Sequence, residues 1–311
     1  MPTTKIKSST GKTKFNYTIS TPSSSSAKHI DKNLPTLVHI FQRPLPIRRF
    51  NCVALDLRVH GHTTGDPIPE GYGAKEAAED IAKFMDDIKL PACHIVGLSM
   101  GTIAAIGLAV HYPNKVASLF LVSPLGLEEN TGRRVSRQGQ PDMEVLADAV
   151  YGALQLGFSN NLDSLANALV AFTLALALKN WGPKHFDQYD RATVEFFNDR
   201  KEYSNDELSR IRAPVKLVHC LGDVAYPQEY TEKFMQQLKD AAVTVSLATI
   251  PEAPHFGLVT HGDIVNSILH DFTIGSCRTS VPPAPQEVVS PWETELVKAG
   301  WDKGGSDSED D

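Results

Sequence analysis

The stretch His94-Ile95-Val96-Gly97-Leu98-Ser99-Met100-Gly101, running on through Thr102-Ile103-Ala104-Ala105-Ile106 to Tyr112-Pro113, decides the fold. It opens as a short β-rich run over 94–97 and turns at once into a helical pattern from Met100 to about Tyr112, which Pro113-Asn114 stops. A Gly-x-Ser-x-Gly sequence at such a junction puts the serine on a strained turn. The glycines are needed because side chains there would collide with neighbouring backbone. The hydroxyl is presented beyond the carboxyl end of a sheet, beside the free N–H groups and positive dipole of a helix N-terminus.

Outward from this turn, short β-rich runs alternate with helical periodicity, the pattern of a parallel sheet covered by helices. Strands are expected at 36–41 (TLVHIF), 51–57 (NCVALDL), 116–122 (VASLFLV), 215–219 and 243–250 (VTVSLATI). A helix is expected over 74–89, with Ile81, Phe84, Met85 and Ile88 on one face, and another over 256–272. Residues 128–212 hold no convincing strand and read as a helical cap or lid inserted late in the sheet. Its most apolar run, 168–178 (ALVAFTLALAL), is 11 residues long, well short of the ~20 of a membrane helix, so no membrane span is expected.

A serine at its free pKa is a poor nucleophile and needs an adjacent base oriented by an acid. Asp223, in LGDVAYP, and His255, in APHFG, each follow a β-rich run, and the chain order is Ser99, Asp223, His255. Glu128 or Glu129 offers an alternative acid. The pair His60-x-His62 reads as a turn, since no partner motif for a metal accompanies it, and neither a metal nor a cofactor is expected.

On GLSMG, LGDVAYP and APHFG, the chain from Thr36 to about Phe272 resembles the α/β-hydrolase fold family, in its esterase, lipase and C–C hydrolase group. The segment Asp56-Leu57-Arg58-Val59-His60-Gly61-His62 is similar to the family's DLRGHG turn, with Val59 where that pattern has glycine. The resemblance implies an α/β fold with a mostly parallel central sheet flanked by helices and a helical cap inserted after the sixth strand. It also implies hydrolysis of a small-molecule substrate through an acyl-enzyme. The family completes its oxyanion hole with a backbone N–H from a glycine-bearing loop after the third strand, added to that of the residue after the nucleophile, here Met100. This chain has His39-Ile40-Phe41-Gln42-Arg43-Pro44 there, without glycine, so Phe41 or Ile40 is expected to supply the second donor. The shortened loop leaves open a catalytically weak binding or scaffold protein. The apolar cap side chains, among them Leu165, Leu169 and Phe172, either contact an apolar acyl or alkyl group or pack the cap onto the sheet.

Composition bounds the rest. The 311 residues are 41% hydrophobic and 22% charged, enough for one large α/β domain. Of the net charge of −7, four units lie in the last seven residues, and the body lacks the basic footprint of a nucleic-acid partner. Four scattered cysteines and an N-terminus without an apolar signal core point to a cytoplasmic protein. The expected organisation is a flexible arm with a possible first strand (1–30), a core (31–127 and 213–274), the cap (128–212), and a Pro-rich, acidic tail (275–311).

Overall fold

The computed structural model describes residues 2–40, 49–128, 143–277, 280–281, 283 and 297–301. Its strands are β1 (Thr3–Ser8), β2 (Gly11–Ser20), β3 (Thr36–Ile40), β4 (Asn51–Leu55), β5 (Thr64–Gly65), β6 (Cys93–Leu98), β7 (Val116–Val122), β8 (Val215–Cys220) and β9 (Val245–Ile250). They form one sheet in the order β1-β2-β4-β3-β6-β7-β8-β9, with β5 paired to β2. From β4 to β9 every pairing is parallel. The antiparallel pairs all involve β2.

β3, β4 and β6 are buried at every position, as expected of strands covered on both faces. Alternation still sorts their side chains. Val38, Ile40, Leu119 and Leu121 enter one apolar cluster, with helices α1 (Ala74–Asp87) and α2 (Met100–His111). Leu37, Phe120 and Val122 enter a second on the opposite face, with Val265 and Leu269. The expected face of α1 is the buried one: Ile81, Phe84 and Met85 have no exposed surface, each stabilising by ~1.5–3 kcal/mol. At its start Glu76 Oε2 accepts the Gly73 N–H at 3.0 Å, filling one of the orphan donors.

Three expectations need correction. The flexible arm with a possible first strand expected over 1–30 has not one strand but two, among its described residues. β1 and β2 make a hairpin whose lysines (Lys5, Lys7, Lys12, Lys14) face out while Ile6 and Phe15 face in, and the Phe15 and Phe84 ring centroids lie 5.4 Å apart. The helix expected over 256–272 is two, α9 (Gly257–Thr260) and α10 (Gly262–Ser276), because His261 leaves helical geometry at φ −119°, ψ 41°. Counted along this chain, the inserted helices follow the seventh strand, β7. The two-residue β5, whose Gly65 has no room for a Cβ against the Lys12 carbonyl, adds one to the count.

Between β7 and β8 the described residues contain helices and no strand: α3 (Met143–Gly157), α4 (Ser164–Asn180), α5 (Phe186–Tyr189), a π-helical turn (Asp190–Glu195), α6 (Phe196–Asn198) and α7 (Asn205–Leu208). α8 (Gln228–Asp240) joins β8 to β9. At the chain end Val281 is buried in the second cluster and its carbonyl accepts a hydrogen bond from Arg49 Nη2, so the tail is tied to the body at that point.

Candidate active site

One residue, Ser99, separates β6 from α2, and it turns the chain at φ 49°, ψ −121°. A non-glycine residue held there costs of order 1–3 kcal/mol, so its surroundings must fix it. The Ser99 N–H donates to Val122 O on β7 at 3.0 Å. Its carbonyl accepts from Thr102 N at 2.8 Å and Thr102 Oγ1 at 2.6 Å. A Cβ at Gly97 would lie 3.0 Å from both Gly101 O and Thr102 Cα, which is why the first position of the motif carries no side chain.

Asp223 follows β8. Its Oδ1 accepts two backbone N–H groups, Ala225 at 2.8 Å and Tyr226 at 3.0 Å, leaving Oδ2 to meet His255 Nδ1 at 2.6 Å. The loops carrying the two residues touch: the Gly222 N–H donates to Ala253 O at 2.8 Å, and a Cβ at Gly222 would lie 2.5 Å from Glu252 O. His255 Nε2 stands 2.7 Å from Ser99 Oγ. The carboxylate has no exposed surface and the imidazole only 6%, so water competes little for either hydrogen bond. The rings of Tyr226 and Phe256 flank the imidazole, with centroids at 5.6 and 5.5 Å. Chemically, such a chain withdraws a proton from a serine hydroxyl and holds the imidazole in one tautomer.

The structure thus brings Ser99, Asp223 and His255 together. Glu128 is exposed and Glu129 lies outside the described residues. Met100 is the first residue of α2, so its N–H has no partner within the helix. Ile40 is fully buried inside β3, in register with Leu55 on one side and Gly97 on the other. Its N–H therefore lies in the plane of the sheet. Phe41 lies outside the described residues. Leu169 packs in a cluster with Phe158, Ala166 and Val170 that reaches Phe256, next to His255. Leu165 and Phe172 are half-buried on α4 and are not in that cluster.

Other residues at the site carried no sequence signal. The Phe256 N–H donates to Gly157 O at 2.8 Å, and Ser159 Oγ donates to Gly222 O at 2.7 Å, so the end of α3 holds both the histidine and the acid loops. A Cβ at Gly157 would fall 2.1 Å from the Phe256 ring. Ser123, just past β7 at φ 47°, donates through Oγ to the His255 carbonyl at 2.7 Å. Behind the acid, burial pushes the Cys220 thiol up to about 11, and burial also lowers His219. Among the described residues no group of His, Cys, Asp and Glu could hold a metal ion, and no helix is long and apolar enough to cross a membrane.

Comparison with known proteins bears on the family and the fold. The family model described as alpha/beta hydrolase fold matches residues 29–261. The dihydrolipoyllysine-residue acetyltransferase component of the acetoin cleaving system of Cupriavidus necator is 35% identical over 121 residues, 37% of this chain. The chain spans about a third (32%) of that relative's length. The pimeloyl-[acyl-carrier protein] methyl ester esterase of Methylococcus capsulatus is 24% identical over 73% of this chain and 86% of its own. Among solved structures, a thermophilic esterase from Thermogutta terrifontis superposes with a TM-score of 0.64 at 17% identity, covering 89% of this chain and 99% of its own.

Proposed function

This chain belongs to the α/β hydrolase fold family, and we propose that it is a serine hydrolase that cleaves an ester-type bond of a small, apolar substrate through an acyl-enzyme on Ser99. The observation that carries the reading is the unbroken line from Ser99 Oγ through the His255 ring to the Asp223 carboxylate, at 2.7 and 2.6 Å. His255 Nε2 takes the hydroxyl proton as Oγ attacks the carbonyl carbon, and returns it to the leaving group when the tetrahedral intermediate collapses. Water then attacks the acyl-enzyme with His255 again as base. Asp223, holding Nδ1–H, keeps Nε2 unprotonated and facing the serine, and stabilises the transient imidazolium.

The developing oxyanion is met by the Met100 N–H and the positive end of α2. Ile40 is committed to the sheet, and Phe41, the other donor expected from the sequence, lies outside the described residues. The methyl ester esterase relative supports an ester-type bond. Helices α3 to α7 act as a cap, and Leu165, Leu169 and Phe172 on α4 favour an apolar acyl or alkyl group. The three buried cysteines, Cys52, Cys93 and Cys220, suit a reducing, cytoplasmic setting.

A fluorophosphonate probe tests the reading, because it requires an activated serine and no knowledge of the substrate. Wild-type protein is expected to be labelled at Ser99, and Ser99→Ala and His255→Ala to be left unlabelled. An unlabelled wild type would favour a scaffold or binding protein.

A further inference from the structure

We propose that Ser123 is a positioning residue for the histidine base: its hydroxyl fixes the His255 backbone at the place from which the ring reaches Ser99 and Asp223 together. The assignment rests on the Ser99, His255 and Asp223 reading above. Ser123 Oγ donates to His255 O at 2.7 Å, across 132 positions of sequence. The side chain is buried, with 3% of the residue exposed. Its backbone sits at φ 47°, a conformation that serine adopts only when its surroundings hold it there.

What holds it is the sheet. The Ser123 N–H donates to Val218 O on β8 at 2.9 Å, while Val122, one residue earlier, accepts the N–H of Ser99 at 3.0 Å. One dipeptide at the end of β7 therefore binds the nucleophile's backbone on one side and the base's backbone on the other. The left-handed turn at 123 aims the hydroxyl at the histidine loop.

The rest of that loop is fixed through the residues on either side of His255. The His255 carbonyl is held by the Ser123 hydroxyl, while its neighbours are tied elsewhere, Ala253 O accepting the Gly222 N–H and Gly257 N–H donating to Pro254 O. A Cβ at Gly257 would lie 2.6 Å from Cys220 Sγ, and Phe256 N–H reaches out to Gly157. Without the Ser123 hydroxyl the His255 carbonyl would be left buried and unsatisfied. The peptide would then rotate to find a donor, and the ring would move with it. A misplacement of about 1 Å costs on the order of 10²-fold in rate.

Three variants separate positioning from stability. Ser123→Ala and Ser123→Gly both remove the hydroxyl, but glycine accepts φ 47° without strain and alanine does not. Ser123→Thr keeps a hydroxyl on a backbone that a β-branched residue tolerates poorly. The readouts are melting temperature, fluorophosphonate labelling rate, and kcat and KM for p-nitrophenyl acetate per labelled site, with Ser99→Ala as control. The alanine and glycine variants are expected to lose kcat by on the order of 10²-fold, with KM little changed and labelling slowed in step. The threonine variant should recover most of the rate despite melting lowest. Rates that follow melting temperature across the three, or a glycine variant as fast as wild type, would overturn the assignment while leaving the serine reading intact. Labelling of Ser99→Ala as fast as wild type would overturn the serine reading and this assignment with it.

Discussion

Replacing His39 by leucine isolates one buried titrating group. His39 lies in β3 with 2% of its surface exposed, and neither ring nitrogen has a hydrogen-bond partner. Burial holds its pKa at about 4, down from 6.5. Between those values the unfolded chain binds a proton that the folded chain refuses. Stability is therefore fully present above pH 6.5 and is lost as the pH falls towards 4. At about 1.4 kcal/mol per unit, the part of that window between neutrality and pH 5 amounts to about 2 kcal/mol. Leucine removes this dependence, and by removing two unsatisfied nitrogens it should also stabilise the protein at pH 7 by ~1–3 kcal/mol. Urea unfolding followed by tryptophan fluorescence at pH 7 and pH 5 reads both effects. His60 and His94, also lowered to about 4 by burial, and Asp80, raised by burial and so acting in the opposite sense, are common to both proteins and cancel in the difference. If the leucine variant loses as much stability on acidification as wild type, the imidazole is not the neutral buried group described here.

Ser99→Ala and His255→Ala should each lower ester turnover by roughly 10⁴-fold, with little further loss in the double variant. Multiplying effects in steady-state kinetics would count against a shared triad. Arg58→Ala should destabilise by about 3–5 kcal/mol in urea melts, because it strands Asp80, whose Oδ2 meets Arg58 Nε at 3.1 Å in a fully buried pair. Val59 occupies φ 55° where the resembling pattern has glycine. Val59→Gly trades ~1–2 kcal/mol of strain against ~0.5–1 of chain entropy, and a slight rise in melting temperature is expected. A clear fall would show that Val59's packing on the core outweighs its strain. Val281→Asp should lower the melting temperature, since that side chain is 8% exposed within the second cluster, and an unchanged melt would detach the tail from the body.

The parts of this protein legible from sequence are those written in local chemistry. GLSMG specifies a strand, a turn and a helix within a few residues, and Asp223 and His255 follow short β-rich runs that read as strands. Of the N-terminal hairpin only a possible first strand is legible, because four lysines dominate its composition, although their alternation with Ile6, Thr13 and Phe15 has the period of a strand. Ser123, Gly157 and Ser159 were out of reach for another reason. Each acts on a loop far along the chain, and Ser123 and Ser159 do so from positive φ, at 47° and 51°, which ordinary serines do not announce.

The register of the sheet joins these particulars. Ser99 lies one residue past the end of β6 and donates its N–H to Val122 on β7; Ser123 lies one residue past the end of β7 and donates to Val218 on β8; Leu221 lies one residue past the end of β8 and donates to Ile250 on β9. The parallel ladder thus extends by one hydrogen bond beyond each strand end, and at every step the residue that makes it leads into the site. Ser99 is the nucleophile of the proposed triad, Ser123 reaches the base, and Leu221-Gly222 carries the acid. Two of these residues sit in strained conformations of order 1–3 kcal/mol each, which a free loop would relax. Attached to neighbouring strands buried on both faces, they can relax only by breaking a ladder bond in a dry interior. The strain is therefore retained, and the strand ends carry Ser99 and the loops of Asp223 and His255 to one place, where the proposed triad makes its 2.6 and 2.7 Å distances.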